Sequence, residues 1–197
     1  MRFSTVPTIA VAILATSVAF AQTPQFDSQR RAEAALSNDT LRLTYKSPGT
    51  KVGVENSQAA ADFFLSEERD IVLSGSLLFP TTLDLGRLKL LVGPRIYAAL
   101  LQDENDDVFS ATLGAEARFD LNRRNGLAVV GEAYYGPDIL TFGASDGVTD
   151  FSARVQMRIA PRVLAFAGMR WFEIDLTEGG GDRTLQDEVF VGAGYRF

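Results

Sequence analysis

From Phe109 to Phe119 the chain alternates without a break, Phe109, Ala111, Leu113, Ala115, Ala117 and Phe119 against Ser110, Thr112, Gly114, Glu116 and Arg118. Residues two apart share a face only in a strand, whereas an amphipathic helix needs its apolar residues three and four apart. The same period returns at 151–159, with Phe151, Ala153, Val155, Met157 and Ile159 on one side and Ser152, Arg154, Gln156 and Arg158 on the other. A chain with two such stretches folds into sheet. It is then either a soluble sheet protein or one that crosses a membrane with strands.

The start of the chain points to export. Met1 and Arg2 precede an almost wholly apolar run at 6–20, and Ala19, Phe20 and Ala21 offer a small-x-small cleavage site. This is the layout of a secretory signal peptide, so residues 1–21 are expected to be removed. The run is shorter than the ~20 residues of a spanning helix, and a chain without Cys has no lipobox. Removal leaves 176 of the 197 residues and turns the net charge from −6 to −7. An acidic chain with no clustered basic face in its sequence argues against a nucleic-acid partner. The lack of Cys excludes a disulfide framework, and the lack of His excludes His-dependent triads and the usual zinc sites. No cofactor is expected.

After 21 no apolar run reaches the length of a membrane helix. Further strands are expected at about 41–46, 59–65, 71–79, 88–100, 127–135, 163–176 and 189–197, each with an apolar face bounded by turn residues. With the two clean stretches that makes about nine. Single-chain bacterial barrels have even numbers, so eight is the expected count and ten the alternative. The segment set aside is 41–46, which follows a polar stretch, 22–38, open to a short helix; the barrel proper is expected over 39–197. From 102 onward connections read as alternately long and short, with 136–150 and 176–189 long, and 160–162 and 121–126 short, whereas nearer the start 66–70 is brief and 80–87 is not tight. That alternation suits outer loops and periplasmic turns.

Hydrocarbon leaves no backbone N–H or C=O unpaired, so a spanning sheet closes on itself. With apolar faces outward, the charges fall inside: Asp62, Arg95, Glu116, Arg118, Glu132, Arg154, Arg158 and Arg170, with Lys89 a further candidate. A small barrel has a lumen barely wide enough for side chains. These groups are therefore expected to form an Arg and carboxylate network, read either as a structural filling or as a narrow anion-preferring passage. Aromatics at strand ends, Phe79, Phe109, Phe119, Tyr134, Tyr135, Trp171, Phe172, Tyr195 and Phe197, suit interfacial girdles.

Candidates for chemistry are few. Ser110 and Ser152 fall on lumen faces with no Lys placed to activate them. Glu116 and Glu132 could be paired carboxylates, although ion pairing to Arg118, Arg154 or Arg170 is the simpler reading. The acidic loop with Asp103, Asp106 and Asp107 offers oxygen ligands for a divalent cation, but lacks the Gly and distal Glu of a calcium loop. The expectation is a non-enzyme.

The chain ends with Tyr195, Arg196 and Phe197. Tyr195 and Phe197 resemble the C-terminal signal that the barrel assembly machinery reads on the last strand of bacterial outer-membrane barrels; Phe190 departs from it, since a polar residue is usual there. Gly131, Glu132, Ala133, Tyr134, Tyr135, Gly136, Pro137 and Asp138 resemble the Gly-Glu-Tyr-Tyr-Tyr-Ser-Pro-Asp segment of the YfaZ family of small bacterial outer-membrane proteins, with Ala133 and Gly136 as departures. Leu73, Ser74 and Gly75, and Met169, Arg170 and Trp171 followed by Asp175 and Leu176, are similar by spacing, over about 59–197. The resemblance implies location and architecture, not a biochemical role. The expected protein is a small monomeric barrel in the bacterial outer membrane, structural or a minor solute passage, surrounded by lipid and lipopolysaccharide. The alternatives are a lipid- or lipopolysaccharide-modifying barrel enzyme, and a soluble periplasmic calyx with apolar residues inside and charges outside.

Overall fold

The computed structural model describes residues 29–67, 69–81, 86–101, 107–143, 145–176 and 182–197; the expected signal peptide lies outside them. The strands are β1 (Arg31–Leu36), β2 (Thr40–Pro48), β3 (Gln58–Ser66), β4 (Ile71–Pro80), β5 (Leu88–Leu100), β6 (Asp107–Asn122), β7 (Leu127–Pro137), β8 (Thr141–Gly143), β9 (Ser145–Ala160), β10 (Val163–Leu176) and β11 (Asp182–Arg196). From β1 to β7 each strand pairs antiparallel with the next; β7 then pairs with β9, β9 with β10 and β10 with β11. The ring closes where β11 returns to β1, with Arg31 opposite Arg196 and Leu36 opposite Val191. Ten strands form the wall, and β8 adds three residues beside the start of β6. Among the described residues no helix is long and apolar enough to cross a membrane.

The expected count of eight is thus corrected to ten. The two strands lacking were β1, inside the stretch left open to a helix, and β2, the segment set aside at 41–46. In β1 the charged Arg31 and Glu33 are buried while Ala34 and Leu36 are exposed. The strand has period two, but Ala is a helix former and hides it; pairing with β2 and β11 overrides that preference. The wall therefore begins at Arg31 rather than 39. The two connections read as long are also mostly strand, since β7 runs to Pro137, β9 starts at Ser145 and β11 starts at Asp182. These strand ends carry polar residues that rise beyond the apolar band, so the alternation that marks a strand fades there.

Turns at the end holding both termini are set by local chemistry. In the β6–β7 turn the side-chain oxygen of Asn122 accepts from the Arg124 N–H (3.0 Å), that of Asn125 accepts from the Leu127 N–H (3.2 Å), and Gly126 takes φ +66°.

The two faces of the wall differ in kind. Leu43, Leu73, Val92, Ile96, Leu113, Val155, Met169 and Val191 are exposed on the outside, while Glu33, Lys46, Asp62, Arg95, Glu116, Glu132, Asp150, Arg154 and Arg170 are buried. A soluble calyx would need the reverse. Seven of the girdle aromatics are exposed as expected, but Tyr134 and Phe172 are not: at 3% and 0% exposure they point inward. Phe172 joins Phe64, Val72, Tyr97, Ala99, Leu101, Val108, Val148, Ile174 and Leu185 in an apolar cluster. All of these lie near the strand ends away from the termini, so the loop end of the lumen is stoppered by hydrocarbon.

Close packing inside the ring is visible at Gly192. A Cβ there would stand 2.3 Å from the Phe166 ring and 2.4 Å from the Ala34 carbonyl oxygen, whereas one at Gly75 would meet nothing nearer than 3.8 Å. Gly192→Val is expected to cost about 1–3 kcal/mol through overpacking, read as a lower urea midpoint for the folded band on unboiled gels. Gly75→Ala should leave the midpoint unchanged, and equal midpoints for all three proteins would refute the contact.

Candidate functional site: the charged lumen

Ion pairs between strands that are not neighbours must cross the enclosed space, and several do. Lys46 on β2 donates to Glu116 on β6 (2.6 Å) and Glu132 on β7 (3.2 Å). Arg154 on β9 donates to Glu33 on β1 (2.7 Å), and Arg95 on β5 reaches Asp150 on β9 (3.5 Å) and Glu132 (3.8 Å). These contacts occupy the middle of the barrel.

The central carboxylates are Asp62 and Asp150. Asp62, on β3, accepts from Arg95, from the Thr44 hydroxyl and from the Arg42 Nε (3.1 Å). Asp150 accepts two parallel bonds from Arg170, Nε to Oδ1 at 2.8 Å and Nη2 to Oδ2 at 2.9 Å, and a third from the Tyr97 hydroxyl (2.7 Å). Such fork-to-fork pairing fixes both side chains. The cations are also stacked on rings: Arg95 on Tyr134 (4.6 Å), Arg154 on Phe166 (4.8 Å), and Arg170 on both Phe172 (4.5 Å) and Phe64 (5.2 Å). Arg170 therefore belongs to two layers at once, bonded to the polar one and packed on the apolar stopper.

The structure brings together Asp62, Arg95, Glu116, Glu132, Arg154 and Arg170 of the eight network residues read from the sequence. The other two stand apart. Arg118 pairs locally with Asp120 (2.8 Å), and Arg158 is exposed, as is Lys89. Both arginines lie too near the end of their strands to reach the network, a distance along the barrel axis that period-two reading does not give. Sequence reading missed Arg31, Glu33, Arg42 and Lys46, which lie on the two strands it discounted, and Asp150 and Gln186, which it assigned to loops. Their parity within β1, β2, β9 and β11 was the available signal.

For chemistry the site offers little freedom. Glu116 and Glu132 sit directly opposite each other across β6 and β7, and Lys46 bonds to both. Ser110 is fully buried against the Thr141 hydroxyl (3.4 Å). Ser152 lines a cavity of ≈ 20 Å³ together with Arg42, Glu132, Arg154 and Arg170, room for about one water. Among the described residues no group of three or more acidic side chains is placed to hold a metal ion. Of the acidic-loop candidates, Asp103 and Asp106 lie outside the described residues, and Asp107 is exposed at the start of β6. At the chain end Tyr195 and Phe197 face outward and touch edge to face, ring centres 5.3 Å apart.

A family model described as YfaZ precursor matches residues 27–197. No curated protein matches the chain. Among solved structures, a KdgM porin in complex with disordered oligogalacturonate is similar, with a TM-score of 0.45 and 6% identity over 86% of this chain and 99% of that one.

Proposed function

We propose that this chain, which belongs to the YfaZ family, is a bacterial outer-membrane barrel of structural role whose lumen is sealed rather than open to solutes. The observation that carries this reading is the inverted polarity of a closed wall, with leucines, valines and aromatics outside and ion pairs crossing the inside. Only a bilayer covers such an exterior without leaving apolar surface in water. The lumen residues are read as a filling that satisfies charge and fixes strand register. Glu116 and Glu132 are engaged in holding Lys46, which leaves neither free as an acid or base and supports a non-enzymatic role. The barrel is a monomer whose partners are the surrounding lipid and lipopolysaccharide, and its assembly machinery reads Tyr195 and Phe197.

Separated membranes and gels run with and without boiling test the location. The expected result is heat-modifiable migration in the outer-membrane fraction and several-fold less folded protein when Phe197 is deleted. Recovery of the wild type in the soluble periplasmic fraction would overturn the membrane reading. In planar bilayers the folded protein should give no steady conductance; stable porin-sized steps would overturn the sealed lumen.

A further inference from the structure

We infer that the rim at the terminal end of the barrel is a docking surface for anionic phospholipid headgroups, an inference that rests on the membrane reading above. Arg87 precedes β5 and Lys89 lies at its start, Arg123 and Arg124 lie in the β6–β7 turn, Arg158 lies near the end of β9, and Arg162 lies in the β9–β10 turn; all are exposed. They are scattered along the sequence, which shows no basic run, but β5, β6, β7, β9 and β10 are consecutive in the wall. The turns are joined to their neighbours. The Asp120 N–H donates to the Arg87 carbonyl (2.9 Å), the Arg158 N–H to the Asn125 carbonyl (2.8 Å), and the Arg123 guanidinium to the Gly86 carbonyl.

Among the described residues, the carboxylate within this patch is Asp120, which Arg118 and Arg123 share (2.8 and 3.9 Å). Arg87, Lys89, Arg124 and Arg158 make no ion pair with the described residues. Most exposed acidic side chains lie at the opposite end, Asp39, Glu67, Asp138, Asp146 and Asp187 with Arg69 among them, while Glu55 in the β2–β3 turn is exposed at the basic end. Exposed charge is thus weighted by end, and the basic end presents Arg87, Lys89, Arg124 and Arg158 without an ion pair among the described residues.

A lipid fits better than a soluble anion because of what lies beside the cations. Phe119, Leu121 and Ile159 are exposed at 41%, 46% and 59% on the outer face of the same strand ends. An amphiphile with a phosphodiester head and acyl chains satisfies both surfaces at once. Cations at the edge of an apolar band lie at headgroup depth, where each Lys or Arg adds attraction to anionic lipid that salt screens.

The test is electron spin resonance of the barrel reconstituted in phosphatidylcholine vesicles containing trace spin-labelled phosphatidylglycerol or phosphatidylcholine. The immobilised fraction gives the relative association constant of each probe. Phosphatidylglycerol is expected to be preferred by about twofold or more at low salt. The preference should vanish in 1 M NaCl and in the variant Arg87→Gln, Arg124→Gln, Arg158→Gln, Arg162→Gln, whose four sites are exposed and whose folding is checked by heat-modifiable migration. Immobilised lipid with no preference, or a preference unchanged in that variant, overturns the rim inference alone and leaves its cations to a soluble periplasmic anion. Absence of any immobilised lipid would overturn the membrane reading instead.

Discussion

Lys46→Met is expected to lower the unfolding free energy by about 3–5 kcal/mol, read as a loss of the folded band at much lower urea than for the wild type. Glu116 and Glu132 face each other on adjacent strands in register, a placement in which like charges repel. Both are buried, and Lys46 reaches them from β2 on another part of the wall (2.6 and 3.2 Å). Removing one member of a buried ion pair leaves an uncompensated charge, which costs more than the pair contributes. Here it strips Glu116 of its ion pair and leaves Glu132 with only the longer contacts to Arg42 (3.6 Å) and Arg95 (3.8 Å). Adding Glu116→Gln to Lys46→Met should recover most of the loss, because it removes the repulsion while keeping the shape. The double variant isolates the coupling. If Lys46→Met unfolds at the wild-type midpoint, or Glu116→Gln gives no recovery, Lys46 does not hold the carboxylates together.

That pair also shows what the sequence could and could not reveal. Glu116 and Arg154 were legible as inward charges because β6 and β9 alternate cleanly there, and Glu132 because it stands out as the one charge in an otherwise apolar strand. Lys46 was not, since 41–46 is the segment set aside to reach an even count, after a stretch open to a short helix. Local preference does not decide the membership of β1 or β2. Each exists because its neighbours leave an edge that must be paired, a demand set by closure of the whole ring. Asp150 and Gln186 were lost for a different reason: Asp150 falls just before the stretch that opens at Phe151 and Gln186 just before the strand expected from 189, so both were assigned to connections. The inward Phe172 and Tyr134 show the remaining gap. Periodicity assigns a side, but where Trp171 and Phe172 or Tyr134 and Tyr135 are adjacent, one ring of each pair must point inward, and an interfacial girdle is satisfied by either.

The inward rings make the lumen a seal of two layers in series. Phe172, fully buried, meets Phe64 edge on at 6.0 Å and Tyr97 at 5.5 Å, and beneath them Arg170 and Asp150 close the polar layer. Phe172→Ala is expected to cost about 3–5 kcal/mol through the cavity left behind, together with the ring face on which Arg170 rests. It should not open the barrel. Arg95, Asp62, Asp150 and Arg170 still span the lumen in that variant, so planar bilayers should remain silent while the urea midpoint falls. Combining Phe172→Ala with the neutral pair Asp150→Asn and Arg170→Gln removes both the stopper and the Arg170–Asp150 fork beneath it, and of these variants only this combination is expected to give current steps. Steps from Phe172→Ala alone would mean that the apolar stopper is the whole barrier and the ion-pair layer leaks. Silence in the combined variant, with the protein still heat-modifiable, would mean that Lys46 and its two carboxylates seal the lumen without help from the loop end.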